Sequence, residues 1–140
     1  MTRYVDVLLP LPLSEVFTYI VPPPLTKKIQ PGMRVLVPFR GRLLTGFVVQ
    51  IVTKTRKTNL LLKPIAELLD EKPFVPRAFL FFVEKLSRYF FLPWGEILQA
   101  AVPPPFLVGT KTRYSLSPKG VEALNRDILP PTEAAIARVL

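Results

Sequence analysis

The sequence contains neither cysteine nor histidine among its 140 residues. Without cysteine there are no disulfide bonds and no thiol nucleophiles, and without either residue the usual zinc sites and histidine-based catalytic arrangements are excluded. Glycines are also few, and neither Gly32 nor Gly41 stands in the G-x-x-x-x-G-K-[ST] frame of a phosphate-binding loop. We therefore predict that this chain is not an enzyme by itself and that it binds a partner.

Long uninterrupted helices are excluded over most of the chain by its 17 prolines, since proline removes a backbone donor and clashes with the preceding helical turn. Hydrophobic residues still make up 49% of the sequence, which is enough for a packed core and too apolar for a disordered basic tail. The composition predicts a folded domain that is rich in strands and loops.

Acidic residues are missing from one long segment, residues 27 to 63. The whole chain has 19 basic and 10 acidic residues, a net charge of +9. The segment contains nine bases, and the remainder is balanced at ten bases and ten acids. The segment could form a solvated basic face that merely keeps the protein soluble. We favour a surface that binds a polyanion, with nucleic acid as the first candidate. The nine bases are Lys27, Lys28, Arg34, Arg40, Arg42, Lys54, Arg56, Lys57 and Lys63.

No membrane span is predicted either, because the most apolar region, residues 74 to 92, is interrupted by Arg77, Glu84, Lys85 and Arg88. A bilayer requires about 20 nearly uncharged residues. The first apolar run ends at Pro10 without a cleavage site for a secretion signal. We expect a cytoplasmic protein without a membrane partner.

The first half of the chain reads as a series of short strands rich in β-branched and aromatic residues. Arg40-Gly41-Arg42 fits a hairpin turn, Gly46 suggests a bulge, and residues 54 to 59 form a polar loop. The predicted strands cover residues 4–9, 16–21, 33–39, 43–53 and 65–69.

The hydrophobic period changes to that of a helix after Pro73. Apolar residues at 79, 82, 83, 86 and 90 predict an amphipathic helix that packs on the sheet, with Phe79, Phe82 and Phe90 assigned to the core. A second short helix covers 94–102, and the proline run 103–105 predicts a domain boundary. The prediction is an α+β fold, with domains at 1–105 and 106–140, and with the chain ending inside the second domain.

Candidate ligand contacts come from aromatic residues near the basic segment. Phe17 and Tyr19 lie two apart on one strand and share a face, with Thr18 on the other. Both aromatics suit a core position, but a nucleotide site on a sheet needs an aromatic for the base and a cation for the phosphate or sugar. Phe39 beside the hairpin turn offers a similar surface, and Pro64 restricts the backbone of Lys63 to an extended form.

Six short segments in order resemble the N-terminus of the replication-restart helicase family known as PriA, or primosomal protein N′. No single segment is specific, but the ordered set is, and the resemblance extends over about residues 4 to 105. The segments are 10–13 (PLPL), 16–19 (VFTY), 31–39 (PGMRVLVPF), 46–49 (GFVV), 63–70 (KPIAELLD) and 93–103 (PWGEILQAAVP).

The resemblance implies a small, twisted, partly barrel-like antiparallel sheet followed by an amphipathic and a short helix, and then the start of a winged helix. It also implies binding to the 3′ end of the nascent leading strand at stalled or abandoned replication forks, in the cytoplasm at the nucleoid. Possible partners are single-strand-binding protein and other primosome proteins. The full-length family is an ATP-dependent 3′-5′ helicase; ATP, magnesium and zinc are expected only there, and no cofactor is expected in this chain.

The family's pocket maps onto this sequence residue by residue. Phe17 and Lys63 match the family pattern, whereas Thr18 stands where the family commonly has Asp, and Arg40 stands where it has Gly, with Gly41 one residue later. Further basic contacts are predicted for Arg42, Lys54, Arg56 and Lys57.

Two alternative functions remain open at the level of sequence. The basic face could bind an acidic tail such as that of a single-strand-binding protein, or the chain could be an RNA-binding domain. Competition between acidic peptide and DNA tests the first alternative, and matched DNA and RNA oligonucleotides test the second.

Overall fold

The computed structural model describes residues 2–53 and 61–107, together with Pro118 and Glu122. The chain divides into two compact units, Met1–Gly109 and Thr110–Leu140. The assignment of the second unit to a winged helix lies outside the described residues and stays a prediction. The strands are β1 (Arg3–Leu8), β2 (Phe17–Val21), β3 (Arg34–Phe39), β4 (Arg42–Val52) and β5 (Glu67–Leu68), and the helices are α1 (Arg77–Phe90), α2 (Trp94–Ala101) and α3 (Pro104–Leu107).

The five strands form one antiparallel sheet in the order β2-β1-β4-β3-β5, followed by the helices, so the predicted α+β class is confirmed. The sheet is not closed, but the segment before β5 forms backbone hydrogen bonds with two strands, β2 and β3. The Ile20 N–H donates to the Lys63 carbonyl and the Ile65 N–H donates to the Ile20 carbonyl, both at 3.0 Å, while the Ala66 N–H donates to the Leu36 carbonyl at 2.8 Å. Because the segment divides its bonds between β2 and β3, β5 is shorter than the predicted strand.

The bulge predicted at Gly46 is wrong in its position. The pairing of β3 with β4 runs through Gly46 without a shift, and the irregularity lies between β1 and β4, where Asp6 pairs with Gln50 and Val7 with Val48. Gly46 is needed for a different reason, because a Cβ atom there would collide with the side chain of Val7.

The sheet carries a core on each face because alternate side chains of its central strands point in opposite directions. One core cluster is built by the sheet itself and contains Val5, Val7 and Val35. The other contains Leu8 and Phe47, together with residues from the two longer helices. Burial on both faces fixes the strand register, since a shift by one residue would exchange the two sets.

Helix α1 packs on the sheet through a face that matches the predicted one only in part. Leu80 and Val83 are buried, whereas Phe82 and Phe90 are each 57% exposed, so their assignment to the core is wrong. Phe79 is half-buried against the second cluster. Residues 79 to 83 are all apolar, so several helix faces satisfy the periodicity, and the fit against Leu8 and Phe47 selects one of them.

Arg34, one of the nine bases, is held inside this unit by a carboxylate. Its Nη2 lies 2.6 Å from Asp70 Oδ1, with the side chains only 19% and 11% exposed, and its backbone N–H donates to Asp70 Oδ2 at 2.8 Å. The guanidinium also lies 4.2 Å from the ring centroid of Phe74. The positive charge of Arg34 is therefore compensated locally, and this base serves the fold.

Within the described part of the chain, no helix is long and apolar enough to cross a membrane.

Candidate nucleic-acid interface

An aromatic pair with a cation at its exposed end lies where β2 meets the end of β3. The rings of Phe17 and Phe39 meet edge to face, with their centroids 5.0 Å apart. The Arg40 guanidinium carbon lies 5.3 Å from the Phe39 centroid, within the range of a cation–π contact. Both rings are half-buried and pack against the first core cluster, while Arg40 is exposed. The pair thus borders the core and also presents π surface beside a positive charge.

The turn that carries Arg40 is a two-residue β-hairpin loop. Phe39 pairs with Arg42, and the residues between them, Arg40 and Gly41, have φ angles of 46° and 77°. Two successive positive φ angles define the type I′ turn that matches the twist of a hairpin. Arg40 therefore occupies a left-handed conformation that side chains usually avoid, and Arg42 is exposed on the strand that follows.

Tyr19 fixes β2 against the same end of β3. The ring is 5% exposed, and its hydroxyl donates to the carbonyl oxygen of Pro38 at 3.1 Å. Burial raises the pKa of the Tyr19 phenol to about 12, because the charged form is poorly solvated there. The phenol stays neutral and its hydroxyl orients β2, so we assign Tyr19 to the core.

Thr18 points to the other face of β2, away from Phe17. Its hydroxyl donates to Asp6 Oδ1 at 2.7 Å, and the second oxygen of that carboxylate, Oδ2, accepts from Gln50 Nε2 at 2.6 Å. Asp6 is the register partner of both Thr18 and Gln50, so the three side chains cross β2, β1 and β4 in one line. Sequence reasoning missed Asp6 and Gln50, because only the strand pairing brings them to Thr18.

Lys63 reaches β2 through the backbone. Its carbonyl accepts the N–H of Ile20, and Pro64 forms a parallel bridge with Ile20. The Lys63 side chain is exposed. The strand that supplies Phe17 and Thr18 therefore runs directly beside Lys63, although 45 positions separate Thr18 from Lys63 in the sequence.

A groove of about 680 Å³ opens beside the far end of β2. Lys27 and Lys28 line it, and both belong to the acid-free segment, although no motif of the sequence predicts a specific contact for either. Its other lining residues are Thr2, Ile20, Val21, Pro23, Pro24 and Thr26. The predicted contacts Lys54, Arg56 and Lys57 lie outside the described residues.

Half-buried aromatic rings at the end of an antiparallel sheet, beside surplus positive charge, are consistent with a nucleic-acid-binding module. The chain belongs to the family of the PriA 3′DNA-binding domain (3′BD), whose model matches residues 6–103. The predicted family is thereby confirmed, and with it a DNA-binding role in replication restart.

Several similar curated proteins are replication restart proteins PriA from bacteria. The protein of Buchnera aphidicola subsp. Schizaphis graminum is 31% identical over 99 residues, covering 71% of this chain and 14% of the relative. The protein of Haemophilus influenzae is 32% identical over 101 residues, covering 72% of this chain and 14% of the relative. The Chlamydia pneumoniae protein is 28% identical over 145 aligned positions, covering 98% of this chain and 19% of the relative. The chain thus spans less than a fifth of the length of these relatives.

Proposed function

We propose that this chain captures the 3′ end of the nascent leading strand at stalled or abandoned replication forks. The observation that carries the proposal is the position of β2, which contacts the hairpin through Phe17 and lies beside Lys63 through Ile20. Two segments that are distant in sequence thus adjoin β2, the hairpin at the ring of Phe17 and the backbone of Lys63 at Ile20. A terminal nucleotide offers a base to stack and a sugar or phosphate to contact such a cation.

Each candidate residue has a distinct role in this proposal. Phe17 contributes the aromatic surface, and Lys63 provides the cation near the terminal sugar. Arg40 and Arg42 at the hairpin hold the phosphates that precede the end. Lys54, Arg56 and Lys57 add electrostatic attraction without regard to sequence.

The domain would serve a larger protein at the nucleoid in the cytoplasm. We expect that protein to be an ATP-dependent helicase with single-strand-binding protein and other primosome proteins as its partners. For this chain alone, DNA forks and single-stranded 3′ ends are the proposed ligands.

The test is the fluorescence anisotropy of labelled oligonucleotides that differ only in their last group, a 3′-hydroxyl or a 3′-phosphate. We expect the phosphate to weaken binding by about tenfold, equal to about 1.4 kcal/mol. Lys63→Ala should weaken binding of the 3′-hydroxyl oligonucleotide and reduce the difference between the two ends. Equal affinities of the unchanged protein for the two ends would overturn the proposal.

Lys72→Ala is the matched control for Lys63→Ala. Lys72 is also an exposed lysine, and it lies outside the acid-free segment. The control should bind both ends as the unchanged protein does. If it weakens binding as much as Lys63→Ala, the attraction comes from total charge and not from an end site.

A further inference from the structure

The Thr18 hydroxyl is committed as a donor before any ligand arrives. A hydroxyl has one proton to donate and two lone pairs to accept with. The proton of Thr18 points to Asp6 Oδ1 at 2.7 Å. Toward a ligand, Thr18 Oγ1 can therefore only accept a hydrogen bond, and it suits a partner that carries an O–H or N–H group.

Asp6 carries a negative charge that its own contacts leave uncompensated. Its carboxylate accepts from the Thr18 hydroxyl and from the Gln50 amide, both of which are neutral. The two ion pairs in the described part of the chain are Arg34 with Asp70 and Arg88 with Glu84, and neither involves Asp6. The half-buried carboxylate thus places a negative potential at Thr18.

The location of this charge matters because the segment beside β2 carries an exposed lysine, Lys63. Ile20, which follows Thr18 by two residues on the same face of β2, is bonded to the backbone of Lys63. A basic site without a nearby anion would favour a strand end with an extra phosphate, since that group adds about 1.5 to 2 negative charges. Preference for a free hydroxyl therefore requires a group that opposes the phosphate.

We propose that Asp6 is the positioning residue that makes this site select a hydroxyl-terminated strand over a phosphate-terminated one. The inference rests on the proposed function, since it needs a strand end at the site. Asp6 acts in two ways. It holds the Thr18 hydroxyl as an acceptor for the sugar hydroxyl, and its charge repels a terminal phosphate.

The experiment uses three labelled oligonucleotides that end in a 3′-hydroxyl, a 3′-hydrogen or a 3′-phosphate. The 3′-hydrogen end lacks the donor without adding charge, so it separates the two effects of Asp6. For the unchanged 140-residue chain we expect the hydroxyl end to bind best and the phosphate end worst.

Asp6→Asn removes the charge and keeps the size and the acceptor oxygen of the side chain. We expect it to relieve the discrimination against phosphate by about tenfold, the scale of a charge pair at partial solvent exposure, and to change binding of the hydroxyl end by less than about threefold. Thr18→Val should instead remove the difference between the hydroxyl and hydrogen ends and keep the discrimination against phosphate.

Glu71→Gln is the control for net charge, because Glu71 is exposed and follows β5. It should leave the ratios of all three affinities unchanged. Circular dichroism of each variant reports whether it folds. If Asp6→Asn does not fold, Asp6→Ser removes the charge by a second route.

The outcomes separate the inference from the proposed function. If the unchanged protein distinguishes the ends and Asp6→Asn distinguishes them equally well, Asp6 is only a structural partner of Thr18 and the inference is wrong. If Glu71→Gln matches Asp6→Asn, the effect comes from net charge and the inference is also wrong. If the unchanged protein does not distinguish the ends, the proposed function itself fails.

Discussion

Tyr19 places a phenol inside the core of the sheet and uses its one polar atom to fix two strands. The hydroxyl donates to the Pro38 carbonyl, next to the aromatic pair of Phe17 and Phe39. A buried hydroxyl that lacked this acceptor would cost about 1 to 3 kcal/mol. At the scale of single residues, the core and the candidate site are therefore coupled through one hydrogen bond.

The raised pKa of Tyr19 predicts how stability depends on pH. The pKa of a tyrosine in the unfolded chain is about 10, and that of Tyr19 in the folded chain is about 12. The free energy of unfolding contributed by the neutral phenol is fully present below pH 10. It falls as pH rises from 10 to 12, because the unfolded state loses its proton first; the total loss is about 2 to 3 kcal/mol.

Urea denaturation of the unchanged protein and of Tyr19→Phe at pH 9 and near pH 11.5 measures this loss. The variant should start about 1 kcal/mol less stable, since it lacks the hydrogen bond, and should lose less stability between the two pH values. Parallel losses in the two proteins would show that other groups cause the pH dependence.

The hairpin of β3 and β4 shows how an element imposes a conformation on its residues. The sequence predicts a turn at Arg40-Gly41-Arg42, and the strand pairing assigns Arg40 and Gly41 to its two central positions. Both residues are then forced into positive φ, which suits glycine and strains arginine. Arg40 carries its charged side chain over the ring of Phe39 in that conformation.

Gly41→Ala is expected to cost about 1 kcal/mol of stability. Apart from its two chain neighbours, no residue in the described part of the chain comes within 4 Å of the position of a Cβ atom at Gly41, so we attribute the cost to the φ angle. Gly46→Ala should cost more, about 2 to 3 kcal/mol, because its Cβ meets the buried Val7 side chain. Equal urea midpoints for Gly41→Ala and the unchanged protein would contradict a left-handed turn residue.

Helix α1 illustrates where local pattern stops being informative. Its existence after Pro73 is predicted correctly, because the period is a local signal, and the helix begins at Arg77 directly after Pro76. Its orientation is predicted only in part, because the run of apolar residues from 79 to 83 leaves the exact buried face undetermined. The sheet residues Leu8 and Phe47 make that choice, and they leave Phe82 and Phe90 exposed.

The net charge of the molecule comes from one segment, residues 27 to 63, and the fold changes how many bases of that segment are available to a ligand. Eight of its nine bases remain after Arg34 is assigned to its ion pair with Asp70. Sequence-independent attraction to DNA should then depend on the remaining bases and on salt, since each phosphate contact releases counterions.

Replacing Lys54, Arg56 and Lys57 together by alanine should weaken binding to all DNA sequences. It should also reduce the slope of log Kd against log salt by about 2 for single strands, at about 0.7 per contact. Titrations at several salt concentrations measure the slope. The matched control replaces Arg77, Lys85 and Arg88 of α1, three bases outside the segment. An equal change of slope in the control would show that net charge alone determines the affinity.

The sequence by itself determined that cysteine and histidine are absent, where the net positive charge lies, where the strands and the hairpin occur, and which family the chain belongs to. These properties depend on composition, on local periodicity and on ordered motifs. Only the tertiary structure decided that Thr18 donates a hydrogen bond to Asp6, that the backbone of Lys63 lies beside β2, and that Arg34 forms an ion pair with Asp70. Such contacts join residues that are far apart in the chain, and strand pairing and packing, which no local pattern encodes, bring them together.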